Sequence, residues 1–178
     1  MKIYKNRDDS ERTEAEMETY RLLCRLGIGY ERVDHDAAAT ISDCAEIDEA
    51  LGTKMCKNLF LCNSQKTKFY LLLMPGGKRF KTKALSSFLQ IPRLSFASPE
   101  ALKEHLGLLP GAVTVLGLAN DKEHSVTLLI DSDIADEEYI GCHPCVNTSS
   151  LKMKMSDIYE KFLPYTGHTA TKVVLPEE

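Results

Sequence analysis

From Leu51 to Pro99 the chain contains no aspartate or glutamate. The same span holds nine basic residues: Lys54, Lys57, Lys66, Lys68, Lys78, Arg79, Lys81, Lys83 and Arg93. All 26 acids and the other 13 basic residues lie outside it, so the flanking segments carry −13 while the whole chain carries −4. A solvated face usually mixes both signs. A one-signed block of this length inside a folded domain reads as a basic face for an anionic partner. The overall acidity argues against a DNA-duplex binder and is compatible with a local grip on a few phosphates.

Other absences narrow the classes further. No apolar run approaches membrane-spanning length, and Met1-Lys2-Ile3-Tyr4-Lys5 has no apolar signal core. The expectation is a cytoplasmic protein without a membrane partner, whose six cysteines stay reduced. There is no internal repeat, low-complexity tract or linker, no phosphate-binding P-loop and no dinucleotide fingerprint. With 178 residues, 43% of them hydrophobic, the chain reads as one globular domain over 1–178 with ample core.

One cysteine pair lacks a counterpart. Cys142-His143-Pro144-Cys145 is a CxxC, and Cys24, Cys44, Cys56 and Cys62 supply no second one. A closed zinc site needs four ligands, and thioredoxin-like chemistry places its CxxC between a strand and a helix, whereas here a strand over Leu151–Met153 is expected to follow. No metal or cofactor is therefore expected, and these cysteines read as small packing residues.

What the segment does contain is Gly141-Cys142-His143-Pro144-Cys145-Val146-Asn147-Thr148. Glycine permits close backbone approach and proline fixes the turn. His143 and Asn147 offer hydrogen bonds, and His143 can carry a proton near neutral pH. The segment suits one wall of a pocket; it fits a polar loop between strands equally well. His35, His105, His124 and His168 show no spacing relation and read as surface or packing residues.

The periodicities predict a mixed pattern. Thr13 and Glu16 form a capping box for a helix ending at Gly27, and Ile28–Val33 follows as a strand. Ser42–Leu51 is helical up to Gly52. Asn58–Cys62 and Lys68–Met74 pair around Asn63–Thr67. Thr82–Gln90 is helical, and Ser98-Pro99-Glu100 starts a helix that ends at Gly107. Val113–Leu118, Val126–Ile130 and Tyr139–Ile140 are apolar stretches expected as strands. Ser156–Phe162 is helical and Lys172–Leu175 a last strand. The fold class is α/β of the α+β kind: one domain with a mixed, largely antiparallel sheet surrounded by helices.

In order along the chain stand His35-Asp36-Ala37, Lys57-Asn58-Leu59-Phe60-Leu61, Leu94-Ser95-Phe96-Ala97-Ser98-Pro99-Glu100, Gly107-Leu108-Leu109-Pro110-Gly111-Ala112-Val113-Thr114 and His143-Pro144-Cys145-Val146-Asn147-Thr148. Their order and spacing, from about Thr13 to Leu163, resemble the free-standing prolyl-tRNA-editing deacylases of the YbaK/ProX-type superfamily. The resemblance implies hydrolysis of a wrongly attached amino acid, typically alanine, from the tRNA for proline, with prolyl-tRNA synthetase as a further partner. It implies that Lys57, on a central strand, contacts the terminal adenosine end. It implies a substrate pocket from Asn58, Gly111, Thr114, Gly141, Pro144 and Asn147, with His143 beside Lys57 in the chemistry. Val115 stands where the family's glycine-x-x-x-proline motif has its proline, which bears on which amino acid is removed.

Such an ester needs no covalent nucleophile, since it is already labile beside a ribose hydroxyl. Orienting water and stabilising a tetrahedral oxyanion suffice, and backbone N–H groups near Gly111 or Gly141 could supply that hole. A lysine with its ordinary pKa is protonated at neutral pH, so Lys57 suits a phosphate or oxyanion contact better than a base. Lys78, Arg79, Lys81 and Lys83 are the expected tRNA-binding group. Two other classes remain open: a non-catalytic module that binds aminoacyl-tRNA or a synthetase through the same fold, and a thiol-dependent enzyme using Cys142 or Cys145.

Overall fold

A computed structural model describes residues 1–5, 12–37 and 41–177. Two sheets form the frame. The smaller is wholly antiparallel, in the order β1 (Ile3–Lys5), β2 (Tyr30–Asp34), β8 (Ser149–Lys154) and β7 (Tyr139–Cys142). The larger runs β5 (Ser95–Phe96), β3 (Cys56–Cys62), β4 (Phe69–Pro75), β6 (Val126–Asp131) and β9 (Ala170–Val173). In it β3 pairs antiparallel with β4 and β5, while β4–β6 and β6–β9 are parallel.

Strand alternation divides the larger sheet between two apolar clusters. Phe60, Cys62, Phe69, Leu71, Leu73, Leu128 and Ile130 face the main core, with Leu23 of α1 (Glu14–Arg25), Leu102 and Leu106 of α4 (Pro99–Leu106), and Phe162. Leu61, Leu72, Met74 and Leu129 face the opposite way, onto Leu85 of α3 (Thr82–Leu89). Burial on both faces explains the unbroken run Leu71-Leu72-Leu73-Met74, each 0% exposed. A third, small cluster joins Val33 to Ile47 and Leu51 of α2 (Ile41–Leu51).

Helix ends follow local chemistry. Thr13 caps α1 by accepting from the Glu16 amide at 3.3 Å. The return half of the expected capping box is replaced, because Glu16 Oε1 accepts instead from Arg12 and the Tyr20 hydroxyl. Ser98 caps α4 ahead of Pro99, and Gly107 ends it in the left-handed region. Gln90 does the same for α3 at φ +56°.

Three readings need correction. Val113–Leu118 is not a strand: Thr114 accepts from the Leu116 amide and starts a 3-10 helix over Val115–Asn120. A short apolar run has no periodicity with which to distinguish the two. The helix expected over Ser156–Phe162 begins at Met155 and widens into a π turn over Ile158–Phe162, with the Leu163 amide reaching back to the Ile158 carbonyl. Pro164 follows, and without an N–H it cannot extend the ordinary ladder. Short strands β1 and β5 and the helix α5 (Ser132–Ala135) were not anticipated; each is too brief to leave a period in the sequence.

A buried polar cluster ties the turn before β6 to the C-terminal segment. The Asp121 carboxylate accepts from the Ser125 amide and hydroxyl, the Val126 amide and His168 Nε2, at 2.8–3.0 Å. Burial pushes its pKa up, but the hydrogen bonds from His168, Val126 and Ser125 outweigh that and hold it below the ordinary aspartate value. Asp121→Ala strands these donors and is expected to destabilise the fold by about 3–5 kcal/mol. A carboxylate with a lowered pKa contributes stability above its unfolded value, near 3.9, and loses it as pH falls through the folded one. Chemical denaturation of both proteins across pH 2–7 should show the difference constant at the upper end and shrinking below about pH 4.

Candidate functional site

The two sheets meet where Met55 bridges Gly141 in parallel. A Cβ on Gly141 would lie 2.8 Å from the Lys54 carbonyl oxygen and 3.0 Å from Met55 Cα, so no side chain fits there. Its amide faces the Cys56 sulfur. The expectation that Gly141 supplies an oxyanion donor is therefore corrected: this glycine lets one backbone cross another.

The crossing carries the loop after β7 to the start of β3. Asn147 on that loop lies against Gly111, whose added Cβ would stand 3.3 Å from Asn147 Nδ2. Gly111 is exposed and has φ +87°, a conformation that excludes most other residues. Thr114 is 0% exposed with its side chain facing the Cys142 thiol, and Pro144, two residues after Cys142, is buried.

Asn58 shares its strand face with Cys56 and Phe60, on the main-core side. Its Nδ2 donates to the Cys56 carbonyl at 3.3 Å, which fixes the amide orientation, and Oδ1 is buried without a hydrogen-bond partner. Lys57 points to the other face with Leu59 and Leu61, and its Nζ donates to the Lys78 carbonyl at 2.7 Å. The adjacent pair thus serves opposite sides of β3. β3 is interior, though β4 holds the centre of the sheet. Along its other edge, among the described residues, β7 pairs at Met55 and β5 only at Leu61–Cys62. Lys57 and Asn58 lie in the interval between.

His143 Nδ1 meets the Ser149 carbonyl at 2.9 Å, so Nδ1 carries the proton in the neutral ring and Nε2 presents a lone pair. Burial holds the ring below the ordinary imidazole pKa, with His35 acting the same way and the Ser149 carbonyl opposing. His35 was not expected here, yet its ring lies 6.4 Å from that of His143. Its Nδ1 donates to the Asp36 carbonyl, leaving Nε2 to accept from the Ser150 hydroxyl at 2.8 Å. The strand pairing of Asp34 with Ser149 joins these histidines, a relation that no sequence spacing carries.

Behind them lies a charged network. Asp34 accepts from Arg12, Arg32 and the Ser149 hydroxyl at 2.8–3.0 Å. Burial raises its pKa, but these hydrogen bonds win and bring it below the ordinary value.

Burial keeps three of the thiols protonated. Burial pushes Cys56 up to about 12 and Cys145 up to about 11, and Cys142 rises as well, with its Sγ donating to Met153 Sδ at 3.7 Å. All six cysteines are unpaired, and among the described residues no three His, Cys, Asp or Glu side chains converge as metal ligands. Cys145 also lines a groove of about 560 Å³ between α1, the 3-10 helix and the C-terminal helical segment, which no other expected site residue lines.

Of the basic group, Arg79, Lys81 and Lys83 are exposed. Lys78 is not: its Nζ binds Asp131 at 2.8 Å and Asp133 at 2.9 Å, with the Lys78 and Asp131 side chains 6% and 0% exposed. The assignment of Lys78 to a tRNA contact is corrected accordingly, since this ammonium neutralises a buried carboxylate.

Residues 35–160 match the model of the aminoacyl-tRNA editing domain. The chain belongs to that family. It is 29% identical to the prolyl-tRNA editing protein ProX of Acetoanaerobium sticklandii over 153 residues, covering 86% of this chain and 93% of that one. It is 30% identical to the prolyl-tRNA synthetase associated domain-containing protein 1 of Danio rerio over 154 residues, covering 85% and 83%. A crystal structure of a proposed trans-editing enzyme for prolyl tRNA synthetase shares the fold at a TM-score of 0.66, with 16% identity over 92% of this chain and 98% of that one. No helix among the described residues is long and apolar enough to cross a membrane.

The burial of Lys78 separates it from its basic neighbours by experiment. Lys78→Ala leaves Asp131 buried without a counter-charge and is expected to lose about 3–5 kcal/mol of stability. Arg79→Ala should stay within about 0.5 kcal/mol. Urea denaturation of both variants makes the comparison.

Proposed function

We propose that this protein is a trans-editing deacylase that hydrolyses the ester of a mischarged tRNA, with alanyl-tRNA for proline as its substrate. The observation that carries the reading is the unmet acceptor Asn58 Oδ1, buried on the face turned toward the main core. A buried acceptor without a protein partner is costly unless a ligand or a water supplies a donor. The α-ammonium of an aminoacyl ester, or the ribose hydroxyl beside it, is such a donor. Relatives named for prolyl-tRNA editing support the substrate class.

In this reading water adds to the ester carbonyl, the tetrahedral oxyanion collapses, and the bond to the ribose oxygen breaks. The amino acid leaves, and the tRNA keeps a free terminal hydroxyl. Lys57 spends one of its three N–H donors on the Lys78 carbonyl, which aims the ammonium and leaves two for a phosphate of the terminal nucleotide. Gly111, exposed and unencumbered by a Cβ, is the backbone donor near the carbonyl. His143, neutral with its Nε2 lone pair available, accepts from the attacking water. In the same reading the protein acts in the cytoplasm, beside prolyl-tRNA synthetase. A non-catalytic binding module of the same fold would bind the acceptor end and release no amino acid.

A panel of aminoacylated tRNAs followed for ester loss tests activity and specificity together. Lys57→Ala is expected to fold normally and to raise the barrier by about 2–4 kcal/mol; near wild-type turnover would remove Lys57 from the mechanism.

The cysteine pair gives the contrasting case. Cys142→Ser with Cys145→Ser should keep activity within about tenfold, near 1.4 kcal/mol, and excess chelator should leave it intact. His143→Ala should do more damage. Because its pKa is lowered, the accepting form of His143 persists below the ordinary value near 6.5, so the acid limb of kcat/KM should lie under that pH. An essential cysteine pair with a dispensable His143 would point to thiol chemistry instead.

A further inference from the structure

Phe96 is 60% exposed on the edge strand β5, an unusual place for a large aromatic ring. It pairs directly with Leu61, so it stands on the same face of the sheet as Lys57 and Leu59. Its neighbour Ala97 turns the other way, into the main core. Phe80 meets it edge to face, with ring centroids 6.0 Å apart at 79°. Phe80 is itself packed against the second apolar cluster, which makes it a rigid support.

The surroundings are cationic. Phe80 lies between Arg79 and Lys81, both exposed, and Lys83 and Arg93 are exposed on the flanking elements. Asp133, which reaches this loop from α5, is engaged by Lys78. The Lys78 carbonyl in turn holds Lys57 Nζ. Four residues of extended strand, roughly 13 Å, separate Lys57 from Leu61 and its partner Phe96. An exposed ring on a rigid aromatic support, flanked by cations and in line with Lys57, has the makings of a single-stranded nucleic-acid platform.

We propose that Phe96, backed by Phe80, stacks an unpaired base of the tRNA 3′ end while Arg79, Lys81 and Lys83 hold its phosphates. This rests on the acceptor-end reading above and adds to it a contact made by the base itself. A protein partner would use the same apolar ring but has no need of the cations around it.

The test compares a tRNA with its intact 3′ end against the same tRNA trimmed of its last three nucleotides, by fluorescence anisotropy with the full-length protein. Wild type should prefer the intact form. Phe96→Ala should weaken that binding about tenfold, or 1.4 kcal/mol, and Phe96→Tyr should restore it to within about twofold. Trimmed tRNA should bind all three proteins alike. A 2-aminopurine in the unpaired end should be quenched by wild type and by Phe96→Tyr, and not by Phe96→Ala, whose melting temperature checks that it is folded. Undiminished binding of the intact tRNA by Phe96→Ala, an equal loss on the trimmed one, or an effect confined to self-association would each overturn the proposal. Stacking without hydrolysis of any aminoacyl ester would overturn the deacylase reading alone; hydrolysis without a Phe96 effect would overturn this one alone.

Discussion

The crossing of Gly141 over Met55 is the contact on which the site depends. Without it the smaller sheet would end in a loop of its own, and the larger sheet would present Lys57 and Asn58 to solvent alone. The parallel bridge sets the end of β7 against the start of β3, and only glycine allows it, because a Cβ at Gly141 would run into the Lys54 carbonyl. In the loop that follows, Asn147 reaches Gly111. A residue that looks in sequence like a ligand contact thus acts one step earlier, by allowing two backbones to share a space.

The other half of the site is held by charge. Arg12, Arg32, Glu16 and Asp34 are gathered where α1 packs on the smaller sheet, with Arg32 1% exposed and stacked over the rings of Tyr4 and Tyr20. Buried ion pairs add little net stability against an apolar alternative, but they penalise displacement of either partner severely. Asp34 takes the Ser149 hydroxyl into this network, and the Ser149 carbonyl takes His143 Nδ1. The ring is thereby held in one tautomer by a strand end that the arginines keep in place. Rigid support of this kind suits a group that must present a lone pair in a fixed direction.

Much of this architecture was legible in the chain, and the exceptions have a common cause. Thr13, Ser98 and Gly107 marked helix ends because capping is decided within four residues. The hairpin of β3 and β4 was legible from its two apolar runs and the Asn63–Thr67 turn, where Asn63 accepts from the amides of Thr67 and Lys68. Lys57, Asn58 and His143 could be singled out by their motifs. What could not be read is set by partners distant in sequence. Lys78 belonged by composition to the basic belt, and only the fold shows it meeting Asp131, 53 positions away. His35 and His143 are neighbours because β2 pairs with β8, and the short apolar run at Val115 carries no period that would separate its 3-10 helix from a strand.

The alternation of β3 has a last consequence for the proposed chemistry. Lys57 and Asn58 are consecutive, so their side chains leave the strand on opposite faces. One ligand can touch both only by passing over an edge of the strand. β4 pairs along the whole of one edge. On the other, among the described residues, backbone pairing lapses between the Met55 bridge and Phe60, whose carbonyl accepts from the Ala97 amide. In the proposed reaction, a nucleotide on the Lys57 face would carry its ester across that interval to Asn58, Gly111 and His143 and keep its phosphates among the cations. An unpaired stretch of edge is otherwise a liability for aggregation; here it is short and bounded by paired backbone at both ends.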